Sequence, residues 1–172
     1  MASLLIIEDG SGVEGANSYQ SAADARSYAD ARGFSLPADD AALERLLVRA
    51  CDYLETLRDD YQGSKTDAAN ERQFPRTGVV IDGREVADDE IPKLIKYAQA
   101  QLAVDIQDTD PEPTGDGKEV VRKKIEGATE TQYAEQGDTN PQPVFTKAMN
   151  FLAPLLSTED SDSLFTMAVV RM

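Results

Sequence analysis

The sequence predicts a mainly α fold: a helical bundle of about four helices with a small β-hairpin and extended N- and C-terminal arms. Three observations predict it. Between residues 42 and 61, Leu43, Leu46, Leu47, Ala50, Tyr53, Leu54, Leu57 and Tyr61 recur at steps of three and four, which is one stripe of an α-helix. Segments near residues 21–32, 91–108 and 144–156 carry similar spacing. Strand-like runs are short: residues 3–8, 79–86, and the pair 120–125 and 129–133.

The elements follow in order. Residues 3–8 read as a short buried strand, and the glycine-rich residues 9–15 as a loop. Ser21 is the expected N-cap of the first helix, with Asp24 at the third position and Gly33 as its stop. Ala22, Ala25, Tyr28 and Ala29 form its packing face. Pro37 opens the second helix, which runs to about residue 60, with Asp39 and Asp40 where the helix dipole favours acids. Residues 63–71 are polar and loop-like. Pro75 keeps Gln73-Phe74-Pro75-Arg76 out of a helix. Residues 79–86 turn at Asp82-Gly83. The third helix begins near Ile91-Pro92, behind Asp88-Asp89-Glu90. Residues 108–118 form a loop, and a polar hairpin surrounds Gly127. Pro154 kinks or ends the fourth helix, and residues 163–172 form a last strand or tail. The expected organisation is one domain over 1–172. Its helical body covers about 18–108 and 141–156, a protruding hairpin about 118–134, and a C-terminal arm about 157–172.

Composition bounds the function. The 172 residues are 41% hydrophobic and 28% charged, a globular composition with room for a real core. No apolar run approaches the roughly 20 residues that span a membrane. Residues 4–7 are too short for a signal-peptide core, so a cytosolic or cytosol-assembled protein is expected. Net charge is −15, from 32 acids against 17 bases; such a surface repels phosphate backbones. The single Cys51 excludes an intramolecular disulfide and is expected to be buried and inert. With no histidine, the usual general base, the Ser-His-Asp triad and imidazole metal sites are all missing. No enzyme activity and no cofactor is expected.

Four clusters are candidates for chemistry. Gly10-x-Gly12-x-x-Gly15 matches the dinucleotide fingerprint, but Asn17 and Ser18 delay the helix whose N-terminus should cradle a pyrophosphate; a solvated turn is the simpler reading. Asp108, Asp110 and Glu112 resemble the start of a calcium loop, with Pro113 where the turn glycine belongs. Asp88-Asp89-Glu90 reads as helix N-terminal charge. Lys118, Arg122, Lys123 and Lys124 are either a charged strand edge that discourages aggregation or a docking patch for an acidic surface or nucleic acid. Arg76, beside Phe74-Pro75, is placed to anchor its loop through a carboxylate or backbone carbonyls.

Several of these residues carry a family resemblance. Glu8-Asp9-Gly10, Gly15-Ala16-Asn17-Ser18-Tyr19, Tyr28 and Ala31-Arg32-Gly33 resemble the N-terminal signature of a tailed-phage protein family. The resemblance continues through Ala42-Leu43, Arg49-Ala50, Tyr53-Leu54 and Tyr61. It goes on through Phe74-Pro75-Arg76, where the family usually has Trp-Pro-Arg, and through Ile91-Pro92, Ala98 and Leu102-Ala103. Val120-Val121, Tyr133 and Leu152-Ala153-Pro154-Leu155-Leu156 complete it. Asn17, Ser18, Tyr19, Phe74, Pro75 and Arg76 are its structural motif residues. Phe74 keeps the aromatic anchor of the motif without the indole donor.

The family is labelled DnaT-like and single-stranded-DNA-binding, and it also resembles head–tail connector (adaptor) proteins of long-tailed phages. The resemblance implies a structural virion protein at the neck, assembled in the host cytoplasm. It implies a homo-oligomeric ring of twelve copies between the portal protein and a neighbouring neck or tail-completion protein. Genomic DNA would pass through the channel without sequence-specific binding, and no membrane is involved. The alternative is a single-stranded-DNA-binding accessory protein, using Lys118, Arg122, Lys123 and Lys124. Sequence-tolerant binding needs a basic groove and exposed aromatics, whereas an acidic channel wall repels the passing duplex. The charged face of the second helix, Glu44, Arg45, Arg49, Asp52, Glu55 and Arg58, mixes both signs and is the candidate subunit contact.

Overall fold

A computed structural model describes residues 3–109, 111, 120–125, 129–133 and 145–157. The chain divides into two compact units, Met1–Asp108 with Phe145–Met172, and Thr109–Val144. The first is an α-rich body. The second contains an antiparallel hairpin, β5 (Val120–Ile125) with β6 (Thr129–Tyr133), whose register shifts between Val120 and Arg122.

The body begins with residues 3–8 in extended form. They make one parallel bridge, Ile7 to Ser18, instead of a buried strand. Leu4, Ile6 and Ile7 are exposed, which corrects the expected burial: among the described residues only one backbone bridge, to Ser18, pairs the segment. Helix α1 (Ala22–Asp30) starts at Ser21 with the expected reciprocal capping box to Asp24. Helix α2 (Asp40–Thr56) starts three residues after Pro37, because the Asp39 side chain accepts from the Ala42 N–H and sets the start there. It ends before residue 60 in turns closed by Leu57 and Asp60 N–H groups.

Two two-residue ladders follow, β1 (Ser64–Lys65) with β2 (Arg76–Thr77), and β3 (Val80–Ile81) with β4 (Arg84–Glu85). The second turns at Asp82-Gly83 as expected, both residues having positive φ (50° and 76°), the geometry of a type I′ hairpin. Helix α3 (Lys93–Asp105) begins after Pro92. Helix α4 (Thr146–Leu152) passes into a 3₁₀ turn, Ala153–Leu155, at Pro154, where the missing N–H breaks the α ladder. Residues 141–144, expected to open this helix, and the C-terminal arm beyond residue 157 lie outside the described residues, as do Asp110 and Glu112 of the calcium-like loop.

Helix α3 is central, packed against α1, α2 and α4. Its Ile95, Ala98, Leu102, Ala103 and Ile106 meet the α2 stripe of Leu43, Leu47, Ala50 and Leu54 in one buried cluster. Cys51 lies in that cluster with no exposure, and burial pushes its thiol up to about 12 from 9.0. Burial likewise raises the Tyr19 and Tyr61 hydroxyls. A folded-state value above the unfolded one means the folded state holds its proton longer, so stability is fully present below the unfolded value and falls as pH rises. The urea midpoint should therefore decline between pH 9.0 and about 12. A Cys51→Ala variant should lose part of that slope, and an unchanged slope would remove the thiol as a contributor.

Candidate functional site

The glycine-rich loop is already filled by the protein itself. Glu8 is fully buried at its base. Its Oε1 accepts from the Gly10 and Gly12 N–H groups, each at 2.9 Å, and its Oε2 accepts from Val13 N–H at 2.9 Å. The Gly15 N–H donates to Glu71 at 3.0 Å. These are the donors a phosphate would need, and side-chain carboxylates hold them. Gly10 has φ 107°, and a Cβ there would collide with the Asp89 carbonyl oxygen. The loop is a brace between segments, and the dinucleotide reading falls.

The two structural motifs meet through Tyr19. The Asn17 side chain pins the N-terminal segment, accepting from Ile6 N–H and donating to the Leu4 carbonyl. The Tyr19 hydroxyl donates to Glu55 at 2.7 Å and accepts from the Gln73 and Phe74 N–H groups at 3.1 and 3.2 Å. Gln99 of α3, fully buried, accepts from Tyr19 N–H and donates to Ser18 Oγ and to the Leu47 carbonyl. Phe74 packs edge-on against both Tyr19 and Tyr61. Pro75 is buried beside it. Arg76 takes the carbonyl option left open by the sequence: its guanidinium donates to the Gln62, Gly63 and Tyr61 carbonyls and to the Gln73 side chain.

The α2 face is less uniform than its sequence. Arg45, Arg49, Asp52 and Arg58 are exposed. Glu44 is buried, accepting from Ser3 Oγ at 2.7 Å and Leu4 N–H at 2.8 Å. Glu55 is half-buried and tied to Tyr19 and Gln73. Arg122, Lys123 and Lys124 fall on β5, and Lys118 lies outside the described residues. Among the described residues, no group of acids and Cys is arranged to hold a metal ion, and no helix is long and apolar enough to cross a membrane.

Sequence reasoning also missed a groove. Between α1 and α3 lies a groove of about 490 Å³, lined in part by Tyr28, Arg32, Glu90, Lys93, Lys96 and Tyr97. The Arg32 guanidinium lies 3.9 Å from the Tyr28 ring centre and 4.9 Å from that of Tyr97, and Lys93 Nζ lies 5.3 Å from the latter. Lys93 beside the Tyr97 hydroxyl lowers its pKa, with help from Arg32. Lys93 and Tyr97 are neighbours at i,i+4 on α3, but no spacing rule links them to Arg32, so only the packing reveals the whole group.

Fold and network together define a small α-rich domain braced by buried polar side chains. Over residues 3–172 the chain matches the family model described as "Putative DnaT-like ssDNA binding protein", and it belongs to that family. No curated protein and no solved structure matches the chain.

Proposed function

We propose that the chain is a non-enzymatic structural protein of a tailed-phage virion. It is a head–tail adaptor, assembling as a ring between the portal and the neck or tail proteins and lining the DNA exit channel. One observation supports this reading above others. In a chain of net charge −15, no aromatic among the described side chains is exposed, and Tyr19, Tyr28, Tyr61, Phe74 and Phe145 are buried. A channel wall must let a duplex slide, so weak phosphate affinity and the absence of base-stacking surfaces suit it. A single-strand binder needs the reverse. The mixed charges of Arg45, Arg49, Asp52 and Arg58 suit the head-to-tail contacts that close a ring, of twelve copies as the resemblance implies. Electron microscopy of purified neck complexes should place the protein in a ring beneath the portal. Its absence from purified virions would overturn the reading.

A second reading is a single-stranded-DNA-binding accessory protein, and the description of the family favours this one; it says nothing of an adaptor. Lys118, Arg122, Lys123 and Lys124 are its basic stretch. Under the adaptor reading, fluorescence anisotropy with a labelled oligonucleotide at ~50 mM salt, where electrostatic association is strong, shows no saturable binding. Saturable binding that disappears when Arg122, Lys123 and Lys124 are changed to alanine would establish the second reading instead.

A further inference from the structure

We infer that the groove between α1 and α3 receives an acidic loop cluster of a second copy of this chain. The inference rests on the assembly reading above and adds a second pair of contact surfaces to the mixed-charge face of α2. Copies of net charge −15 repel one another at distances up to a Debye length of ~8–10 Å, so stable contact must bring cations of one copy against carboxylates of the next. In the groove, Arg32, Lys93 and Lys96 come together, and none of them lies within ion-pair distance of a carboxylate among the described residues. Glu90 and Asp24 also line it, which leaves the cations in excess by one. The ring faces of Tyr28 and Tyr97 are already covered by Arg32 and Lys93. The groove therefore carries a small excess of positive charge that favours an anion, and cations already stand over both of its tyrosine rings.

The complementary surface lies on three loops gathered together. Gly15 N–H bonds Glu71, the Thr66 hydroxyl donates to the Asp88 carbonyl, and Gly10 packs on the Asp89 backbone. This knitting brings close together the loops that carry Asp9, Glu14, Asp67, Glu71, Asp88 and Asp89, all exposed. That surface cannot dock on its like, and the groove is the cationic recess that answers it.

Charge reversal in both surfaces tests this. In sedimentation velocity the wild-type chain should self-associate at ~50 mM salt and dissociate towards ~500 mM, as screening shortens the interaction range. Arg32→Glu with Lys93→Glu should weaken association about tenfold or more, and so should Asp88→Lys with Asp89→Lys. Mixing the two variants should restore it, because each reversed surface then meets its complement. Unchanged far-UV circular dichroism shows that the exposed substitutions leave the fold intact. A wild-type chain that stays monomeric across this salt range overturns the inference, as does association indifferent to both variants. Oligonucleotide binding lost on reversal of Arg32 and Lys93 would assign the groove to nucleic acid instead. Virions lacking the protein would refute the adaptor reading while leaving salt-dependent self-association in place, so the two failures are distinguishable.

Discussion

Replacing Phe74 with alanine should destabilise the body by about 3–5 kcal/mol, the range for deleting a buried aromatic ring. Phe74 has no exposed surface and stands edge-on to Tyr19 at 6.4 Å and Tyr61 at 5.2 Å between ring centres. Both neighbours are themselves held, Tyr19 by Glu55 and Tyr61 by its hydroxyl on the Leu54 carbonyl. The walls around the vacated volume therefore resist collapse, which puts the cost towards the upper end. Urea denaturation reads it as a lower midpoint at unchanged slope. A loss under about 1 kcal/mol would mean that residues 73–76 are not anchored in the core.

Glu8→Ala should cost about 2–4 kcal/mol. Three backbone N–H groups, on Gly10, Gly12 and Val13, lose their acceptor together, and each stranded donor costs roughly 1–3 kcal/mol where water cannot replace the partner. These sites are partly buried, so water recovers some of that loss and the sum falls short of three full penalties. Glu8→Gln keeps one carbonyl oxygen but turns an amide N–H₂ towards donors, so its loss should be intermediate. Thermal unfolding of the pair separates the two outcomes; an unperturbed alanine variant would show that the loop does not depend on this carboxylate.

What was legible in the sequence was local. The Ser21 cap, the Asp82-Gly83 turn, the α2 stripe and the break at Pro154 each depend on residues within a few positions of one another. What was not legible depended on partners far along the chain. Glu44 reads as part of a charged helix face, yet the N-terminal segment covers it and donates two hydrogen bonds. Gln99 is one of several polar residues of α3, and nothing local marks it as buried, yet it bonds groups near residues 18 and 47. The apolar run of residues 3–8 predicts burial, but hydrophobicity alone does not supply a second strand edge. The groove cations come from the turn after α1 and from α3, about sixty positions apart, and no periodicity reports on such a meeting.

The Arg76 clamp determines how this part of the body comes apart. One guanidinium holds the carbonyls of Tyr61, Gln62 and Gly63 and the side chain of Gln73. Those same residues hold the end of the chain's last described turn, since Gln62 N–H donates to the Leu155 carbonyl and its side chain to that of Pro154. Strands of two residues, such as β1 and β2, have no persistence of their own. They exist while the clamp is closed, and opening it releases both strands and the seat of the 3₁₀ turn together. Hydrogen exchange should therefore show this lobe opening as one unit, with Arg76 as its polar latch beside the Phe74 anchor.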